Sequence, residues 1–308
     1  MLPTPCSIRA SALARGGVAE ALALRPRRRP LLARALPRPL AGSPLALLSL
    51  GIVVLWGAAA VAAPLLAPYP PLDQDIVRRL APPNTAHWLG TDPLGRDILS
   101  RIVYGARLSI PVGVAAVGLA VILGMIMGST AGTLGGAVDE VIMRITDLML
   151  AFPTVIFAMV ITAALGAGIR NAVVAIMLAW WPSYARLVRG LVLSLREREY
   201  VEAARALGAS RTRIFLRHVL PGITSPLVIM STLDIGHAIL TFASLSFLGL
   251  GPPPEIPEWG SMIASGRSYL DQWWISTFPG LAILSIVVPL NVMGDSLRDL
   301  LDPRFRKG

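Results

Sequence analysis

Residues 199–221 read EYVEAARALGASRTRIFLRHVLP. Six charges fall between Glu199 and Arg217, and apolar stretches long enough to cross a bilayer lie on either side. A segment this polar has no place in hydrocarbon, so it projects into water. It also reads as ordered. Glu202, Ala203, Ala204, Arg205, Ala206 and Leu207 are good helix formers, and Gly208 offers a stop in the left-handed conformation. Ser210 is placed to cap a second short helix, with Ile214, Phe215 and Val219 on its apolar side. Pro221 is expected to end that helix as the chain re-enters lipid. A structured, charged helix–Gly–helix on one side of a membrane is the pattern of a docking element for a soluble partner.

The composition around it agrees. The chain of 308 residues is 54% hydrophobic and 15% charged, with a mean hydropathy of +0.65, whereas a soluble domain carries about 25% charged residues. This is a polytopic membrane protein rather than a globular enzyme with one anchor. A single cysteine, Cys6, excludes an intrachain disulfide. The net charge of +10 comes from 28 Lys and Arg residues, of which Lys307 is the one lysine. That excess reads as positive-inside bias rather than nucleic-acid binding. A phosphate-binding loop needs a lysine and a hydroxyl residue after its glycines. Lys307 is followed by Gly308 alone, so any ATP that drives this protein is expected to bind another polypeptide.

Six stretches approach the ~20 residues that a span requires: 45–66, 108–131, 148–165, 172–192, 226–250 and 275–292. In the fourth, Pro182 is expected to interrupt the helix, and Arg186 and Arg189 lie in its last turns as it emerges into basic cytosol. An N-terminus inside puts 21 of the 28 Lys and Arg residues on one side. The other side keeps Arg78, Arg79, Arg96, Arg101, Arg107, Arg170 and Arg267. Both termini and the 199–221 loop are therefore expected in the cytoplasm. Residues 1–43 are expected to form a basic, poorly ordered cytoplasmic tail, and 44–107 to hold the first span with an external loop. Five further spans run through 108–298 with the docking loop at about 195–221, and 299–308 close the chain.

The external loop opens with Pro68, Pro70 and Pro71, which favour extended chain. Asp92-Pro93-Leu94-Gly95 reads as a turn. Beyond it, Ile98, Leu99, Ile102, Val103 and Ala106 recur at helical spacing, with Arg96, Asp97, Arg101 and Arg107 elsewhere. The expectation is an amphipathic helix lying at the membrane surface before the second span. In the second outer segment, Trp259, Trp273 and Trp274 suit an interfacial belt. Gly118, Gly124 and Gly128 in the second span are expected to let helices approach closely.

The pattern Glu202-Ala203-Ala204, Gly208, Leu220-Pro221 resembles the EAA loop of ABC importer permeases. Residues 90–101, GTDPLGRDILSR, are similar to the segment before the second span in C-type permease subunits of dipeptide, oligopeptide and nickel importers. So are Leu245 to Gly251 (LSFLGLG), Glu258-Trp259-Gly260, and residues 291–304 (NVMGDSLRDLLDPR). The resemblance covers about residues 39–304, with all motifs in order. It implies an all-α integral membrane protein with six transmembrane helices and the type I ABC importer permease fold, set in a bacterial inner membrane. It also implies a homologous B-type permease as partner, two ABC ATPase subunits that bind ATP and Mg, and an extracytoplasmic solute-binding protein. By resemblance, Glu202, Ala203, Ala204, Gly208, Leu220 and Pro221 form the ATPase-coupling loop. Asp92, Gly95, Arg96 and Asp97 belong to an external segment that forms a lid over the pore mouth. The cargo it implies is a peptide or a related small solute such as a nickel chelate, carried by alternating access. No catalytic residue, metal site or cofactor is expected in this chain.

Asp234 and His237 stand three residues apart on one face of the fifth span. An intramembrane acid costs about 2.5–3.5 kcal/mol on insertion scales, so it faces a cavity or a partner. Two readings stay open: a proton relay or ligand group in a translocation path, or a mutually satisfied pair in a subunit interface. The former also keeps a stand-alone secondary transporter as an alternative. His87 with Asp92 is too small a set to argue for a metal, and His218 reads as a surface or interface residue of the loop.

Overall fold

The computed structural model describes residues 44–301, and among them it contains helices with a single isolated bridge between Thr91 and Asp97. The basic tail 1–43, Cys6, Lys307 and the end of the 291–304 motif lie outside the described residues. The helices are α1 (Pro44–Val61), α2 (Ala63–Leu66), α3 (Ile98–Leu134), α4 (Gly136–Leu150), α5 (Thr154–Leu165), α6 (Ile169–Arg196), α7 (Glu199–Ala206), α8 (Arg211–Ile214), α9 (Leu220–Phe247), α10 (Trp259–Gly266) and α11 (Trp274–Leu301).

Four elements are each long and apolar enough to cross a membrane: α1, α3, the run from Arg211 through α9, and α11. The α4–α5 pair supplies a fifth candidate, but its two halves meet at 94°. The expected straight span over 148–165 is thus broken. Proline at 153 drives the preceding Phe152 out of helical geometry, and Pro153 becomes the N-cap of α5. The sixth element, α6, is less apolar because Trp180 to Tyr184 and Arg186 occupy its middle. It runs unbroken through Pro182, contrary to the expected interruption. Neighbouring helices in a bundle hold such a helix together where one backbone bond is lost.

The neighbour that does so is α3. A Cβ at Gly124 would lie 2.4 Å from the Tyr184 Cβ, one at Gly128 2.4 Å from the Ala185 carbonyl, and one at Gly132 2.9 Å from the Val192 Cβ. Glycine every fourth residue makes a flat seam that α6 fills. Gly118 meets nothing within 4 Å and is not part of this seam, so that expectation fails.

Two apolar cores result. One joins α3, α6, α7, α8 and α9 through Val117, Ile176, Tyr184, Val201, Ile214 and Phe242. The other joins α3, α9, α10 and α11 through Ile98, Ile239, Trp259, Ile275 and Ile286. Most of α1 is exposed, as a lipid-facing helix must be, and Trp56 ties it to α11 by donating to Ser285 Oγ at 2.9 Å. Trp259 and Trp274 are buried and donate to the Ile102 and Thr91 carbonyls at 3.0 and 3.3 Å. They are core anchors, not belt residues. Trp273 is the exposed one.

Candidate functional site

The polar loop between α6 and α9 folds as a braced turn. α7 ends at Ala206, and Gly208 takes φ +82. The Gly208 N–H donates to the Arg205 carbonyl at 3.0 Å and the Ala209 N–H to the Ala204 carbonyl at 3.1 Å. These two bonds satisfy helix-end carbonyls and make a Schellman closure, which requires the left-handed residue. Ser210 then caps α8, accepting from the Arg213 N–H at 3.4 Å. Val201, Ile214 and Val219 are buried in the first core, so the loop is a rigid extension of the bundle.

Pro221 does not end the second helix. The helix continues from Arg211 into α9, and Pro221 sits in the first turn of α9. The five residues Phe215–Val219 just before it adopt a wider π-turn. A proline ring collides with the carbonyl four residues back, here that of Arg217, and the wider turn moves this carbonyl aside.

The loop has two faces. Val201 is buried and Ala204 half-buried, so they point inward, while Glu202, Ala203, Ala206 and Leu207 point out. Leu207 is 88% exposed. Its contact potential escaped sequence reading, although a leucine beside the turn glycine is a visible signal. No ion pair joins Glu202 to Arg205 among the described residues. Leu220 is half-buried, and His218 faces Tyr200 at a ring distance of 6.1 Å. Two arginines read as entering cytosol are instead paired: Arg189 makes a two-point ion pair with Asp139 of α4, and Arg186 pairs with Asp147. These pairings span 50 and 39 residues and have no local signature.

At the opposite end, the external segment is turned inside out relative to expectation. The amphipathic stretch is no separate surface helix. It forms the first turns of α3, with Asp97 as N-cap accepting from the Ser100 N–H at 2.8 Å. Asp92, Arg96, Asp97 and Arg101 are all buried. Asp92 Oδ2 accepts from Arg96 Nε at 2.6 Å, and both Arg96 and Arg101 donate to the Pro254 carbonyl at 3.3 and 3.2 Å. A buried guanidinium needs such acceptors, and the one shared by both arginines comes from more than 150 residues away. Gly95 has φ +75, and a Cβ there would overlap the Asp75 carbonyl. His87 pairs with Asp97 through Nδ1 at 3.0 Å rather than with Asp92. No group of three His, Cys, Asp or Glu converges among the described residues.

Within the bundle, Asp234 of α9 accepts a 2.5 Å hydrogen bond from the Tyr184 hydroxyl of α6. His237 Nδ1 stays 3.9 Å from Asp234, too far for a hydrogen bond, and its side chain is 59% exposed. The two lie within ion-pair reach but make no hydrogen bond to each other. Asp234 is held by a tyrosine that sequence reading missed, and His237 points away from the bundle.

The described residues make a helical bundle with spans long and apolar enough for a membrane and a rigid polar loop at one end, the architecture of a multi-pass membrane subunit. The family profile described as binding-protein-dependent transport system inner membrane component matches residues 120–307, and that of the N-terminal TM domain of oligopeptide transport permease C matches 38–83. The chain belongs to the binding-protein-dependent transport system inner membrane component family. It is 46% identical over 266 residues to a probable D,D-dipeptide transport system permease protein of Escherichia coli (strain K12), covering 86% of this chain and 89% of that one. It is 44% identical over 263 residues to a dipeptide transport system permease protein of Alkalihalophilus pseudofirmus, covering 85% and 86%. A nickel transport system permease protein of E. coli (strain K12) is 43% identical over 259 residues, covering 84% and 94%. An inward-facing structure of a methionine ABC transporter superposes with TM-score 0.50 at 18% identity, covering 67% of this chain and 98% of that one, which shows a shared fold. The protein is thus a multi-pass permease subunit of an ABC importer with the type I permease fold, and it works with separate ATPase subunits and a binding protein.

Proposed function

We propose that this chain is the C-type half of a heterodimeric pore that imports peptides. The other half is a homologous B-type permease, and two ATPase subunits engage the 199–221 loop from the cytoplasm. Both termini lie in the cytoplasm. The observation that carries this reading is the outer face of that loop, where Glu202, Leu207 and Gly208 are exposed on a rigidly braced turn and Glu202 has no ion-pair partner among the described residues. A carboxylate and a leucine presented this way suit a groove on a soluble subunit, and the Gly208 turn lets that groove approach closely. Closure of the ATPase pair then moves the loop as one piece with α6 and α9, because Val201 and Val219 lie in their core.

The external segment around Asp92, Gly95, Arg96 and Asp97 works as a rigid lid over the pore mouth and receives the binding protein. Its inward-turned charges support a fixed cover rather than a mobile flap. Asp234 and His237 line the pore or the permease interface: a carboxylate with one oxygen free of hydrogen bonds beside an exposed imidazole is unsuited to lipid. Peptide cargo is favoured over nickel on the curated relatives' names, which include D,D-dipeptide and dipeptide systems beside a nickel system. The test is uptake of a labelled dipeptide and of nickel by cells in which this chain is deleted and then restored. Dipeptide uptake that follows the restored chain supports the reading. Nickel uptake that follows it while dipeptide uptake does not reassigns the cargo.

A further inference from the structure

Behind the docking loop lies a basic cavity of about 570 Å³. Arg196 at the end of α6, Arg205 of α7 and Arg211 of α8 line it, together with the Gly135-Gly136 turn between α3 and α4. No acidic side chain is among its lining residues. Arg196 spends one N–H on the Gly132 carbonyl at 2.8 Å and keeps its others free. Neither Arg205 nor Arg211 makes an ion pair or side-chain hydrogen bond with a described residue. Three guanidinium groups gathered in one concavity repel one another and gain from a shared anion. The two glycines leave the backbone bare on the fourth side, since a Cβ at either would meet nothing within 4 Å.

The geometry points to an anionic phospholipid as the occupant, its phosphodiester held by Arg196, Arg205 and Arg211. The first argument is depth. The cavity sits at the ends of α3 and α6 on the side where the arginine excess lies, the level of the inner-leaflet headgroups. The second is the wall. Leu134 and Phe215 line it, and both continue, past Arg211 at the shared edge, into an adjoining cavity of about 430 Å³ that also holds Ser129 and Thr130, one turn deeper along α3. A charged mouth that opens into an apolar, hydroxyl-bearing groove fits a headgroup followed by glycerol and acyl chain. A free phosphate needs no such groove. The third is facing. Arg205 lines the cavity while Leu207, two residues on, stands nearly opposite it around the helix axis, so a subunit docked against Leu207 leaves the cavity open to lipid. A lipid bound there joins four segments, α6, α7, α8 and the α3–α4 turn, and so sets the angle at which the loop meets its partner. The inference does not depend on the cargo.

The test uses the full chain extracted from its own membrane with whatever subunits remain bound. Native mass spectrometry follows added phosphatidylglycerol and phosphatidylcholine, with and without inorganic phosphate. The parent is expected to retain phosphatidylglycerol about tenfold more tightly than phosphatidylcholine, the scale of one charge-assisted contact. Arg205→Gln with Arg211→Gln is expected to abolish that preference while elution volume and thermal stability stay at parent values. Ala209→Glu, which adds a like charge for the lipid at the cavity wall, is expected to do the same and decides the matter if the double variant does not fold. Equal retention of the two lipids by the parent, or an undiminished preference in the folded variants, overturns the proposal. So does displacement of phosphatidylglycerol by inorganic phosphate, which assigns the cavity to a soluble anion. Phosphatidylglycerol binding only after the ATPases are stripped away overturns it too, and assigns the arginines to an acidic stretch of that subunit.

Discussion

The Tyr184 hydroxyl and the Asp234 carboxylate meet at 2.5 Å across the α6–α9 contact, fifty residues apart in the chain. Tyr184 is fully buried and Asp234 is not, so the tyrosine anchors a carboxylate that faces outward from the bundle. Tyr184→Phe keeps the ring that fills the seam against Gly124 and removes the donor alone. Loss of a hydrogen bond to a charged group costs about 1.5–3 kcal/mol. The purified protein is expected to melt several degrees lower. Asp234→Asn, which still accepts from the tyrosine, is expected to shift the melting point less. Equal melting of Tyr184→Phe and the parent refutes the anchoring role.

Two left-handed glycines make a contrasting pair. Gly95 and Gly208 have φ +75 and +82, but a Cβ on Gly95 would overlap the Asp75 carbonyl while one on Gly208 meets nothing within 4 Å. Left-handed strain alone costs roughly 1–2 kcal/mol. Gly208→Ala is expected to remain folded with a small loss in melting temperature. Gly95→Ala adds a backbone clash at the point where Asp92 and Arg96 are locked, and is expected to yield aggregated or protease-sensitive protein. Comparable yields and melting points for the two variants contradict this account of the external segment as structural.

Six hydrophobic runs and a polar loop were legible in the chain because span length and burial in lipid act locally. The loop's turn was legible too, since Gly208 and Ser210 each act on their own backbone. What was not legible depended on distance. Arg96 and Arg101 looked like water-facing charges because their acceptor, the Pro254 carbonyl, is brought in by the fold alone. The Arg189–Asp139 and Tyr184–Asp234 contacts were hidden for the same reason. Prolines misled in both directions. Pro153 breaks an apolar run that looked continuous, while Pro182 and Pro221 sit inside helices they were expected to end. A proline states that one N–H is missing; whether the helix survives depends on what packs beside it.

The proposed topology rests on the arginine distribution and is directly measurable. A reporter fused after Pro83 is expected to score as external, and one after Ala209 as internal. An external score at Ala209 removes the docking argument together with the orientation.

Glu258 gives a pH dependence. Its carboxyl is buried at the N-terminus of α10, accepting from the Gly260 and Ser261 N–H groups at 2.8 Å. Burial pushes it above the ordinary carboxylate value of 4.5, and the donors from Gly260, Ser261, Ser246 and Ser109 pull it only partly back. The folded chain therefore keeps this proton to higher pH than the unfolded chain. The sign of linkage is that stability is greatest at and below the unfolded value and falls as pH rises from there through the raised folded value. Glu258→Gln removes the titration and keeps the shape. As pH is raised from below the ordinary value of 4.5, the parent is expected to lose melting temperature relative to Glu258→Gln. A pH-independent difference rejects it.

The coupling reading turns on Gly208 and Glu202, which affect different quantities. Gly208→Asp places a charged side chain at a turn with φ +82 and open space around it. The strain is roughly 1–2 kcal/mol, small against the stability of a packed bundle, so the protein is expected to insert and fold. The new side chain stands on the outer face beside Leu207, where the proposed ATPase groove closes. Docking, and with it ATP-driven uptake, is expected to fail. Glu202→Ala removes a carboxylate that has no ion-pair partner among the described residues, so its stability is expected to match the parent. If that carboxylate bonds a docked subunit, its loss weakens docking by about 1.5–3 kcal/mol, giving reduced rather than abolished uptake. An exposed intrachain pair would have contributed at most about 1 kcal/mol, and would have left uptake unchanged. Co-purification of the ATPases and cargo-stimulated ATP hydrolysis, measured on both variants beside the melting point, separate these cases. Parent levels of both for folded Gly208→Asp mean that this loop is not where ATP hydrolysis is coupled to transport.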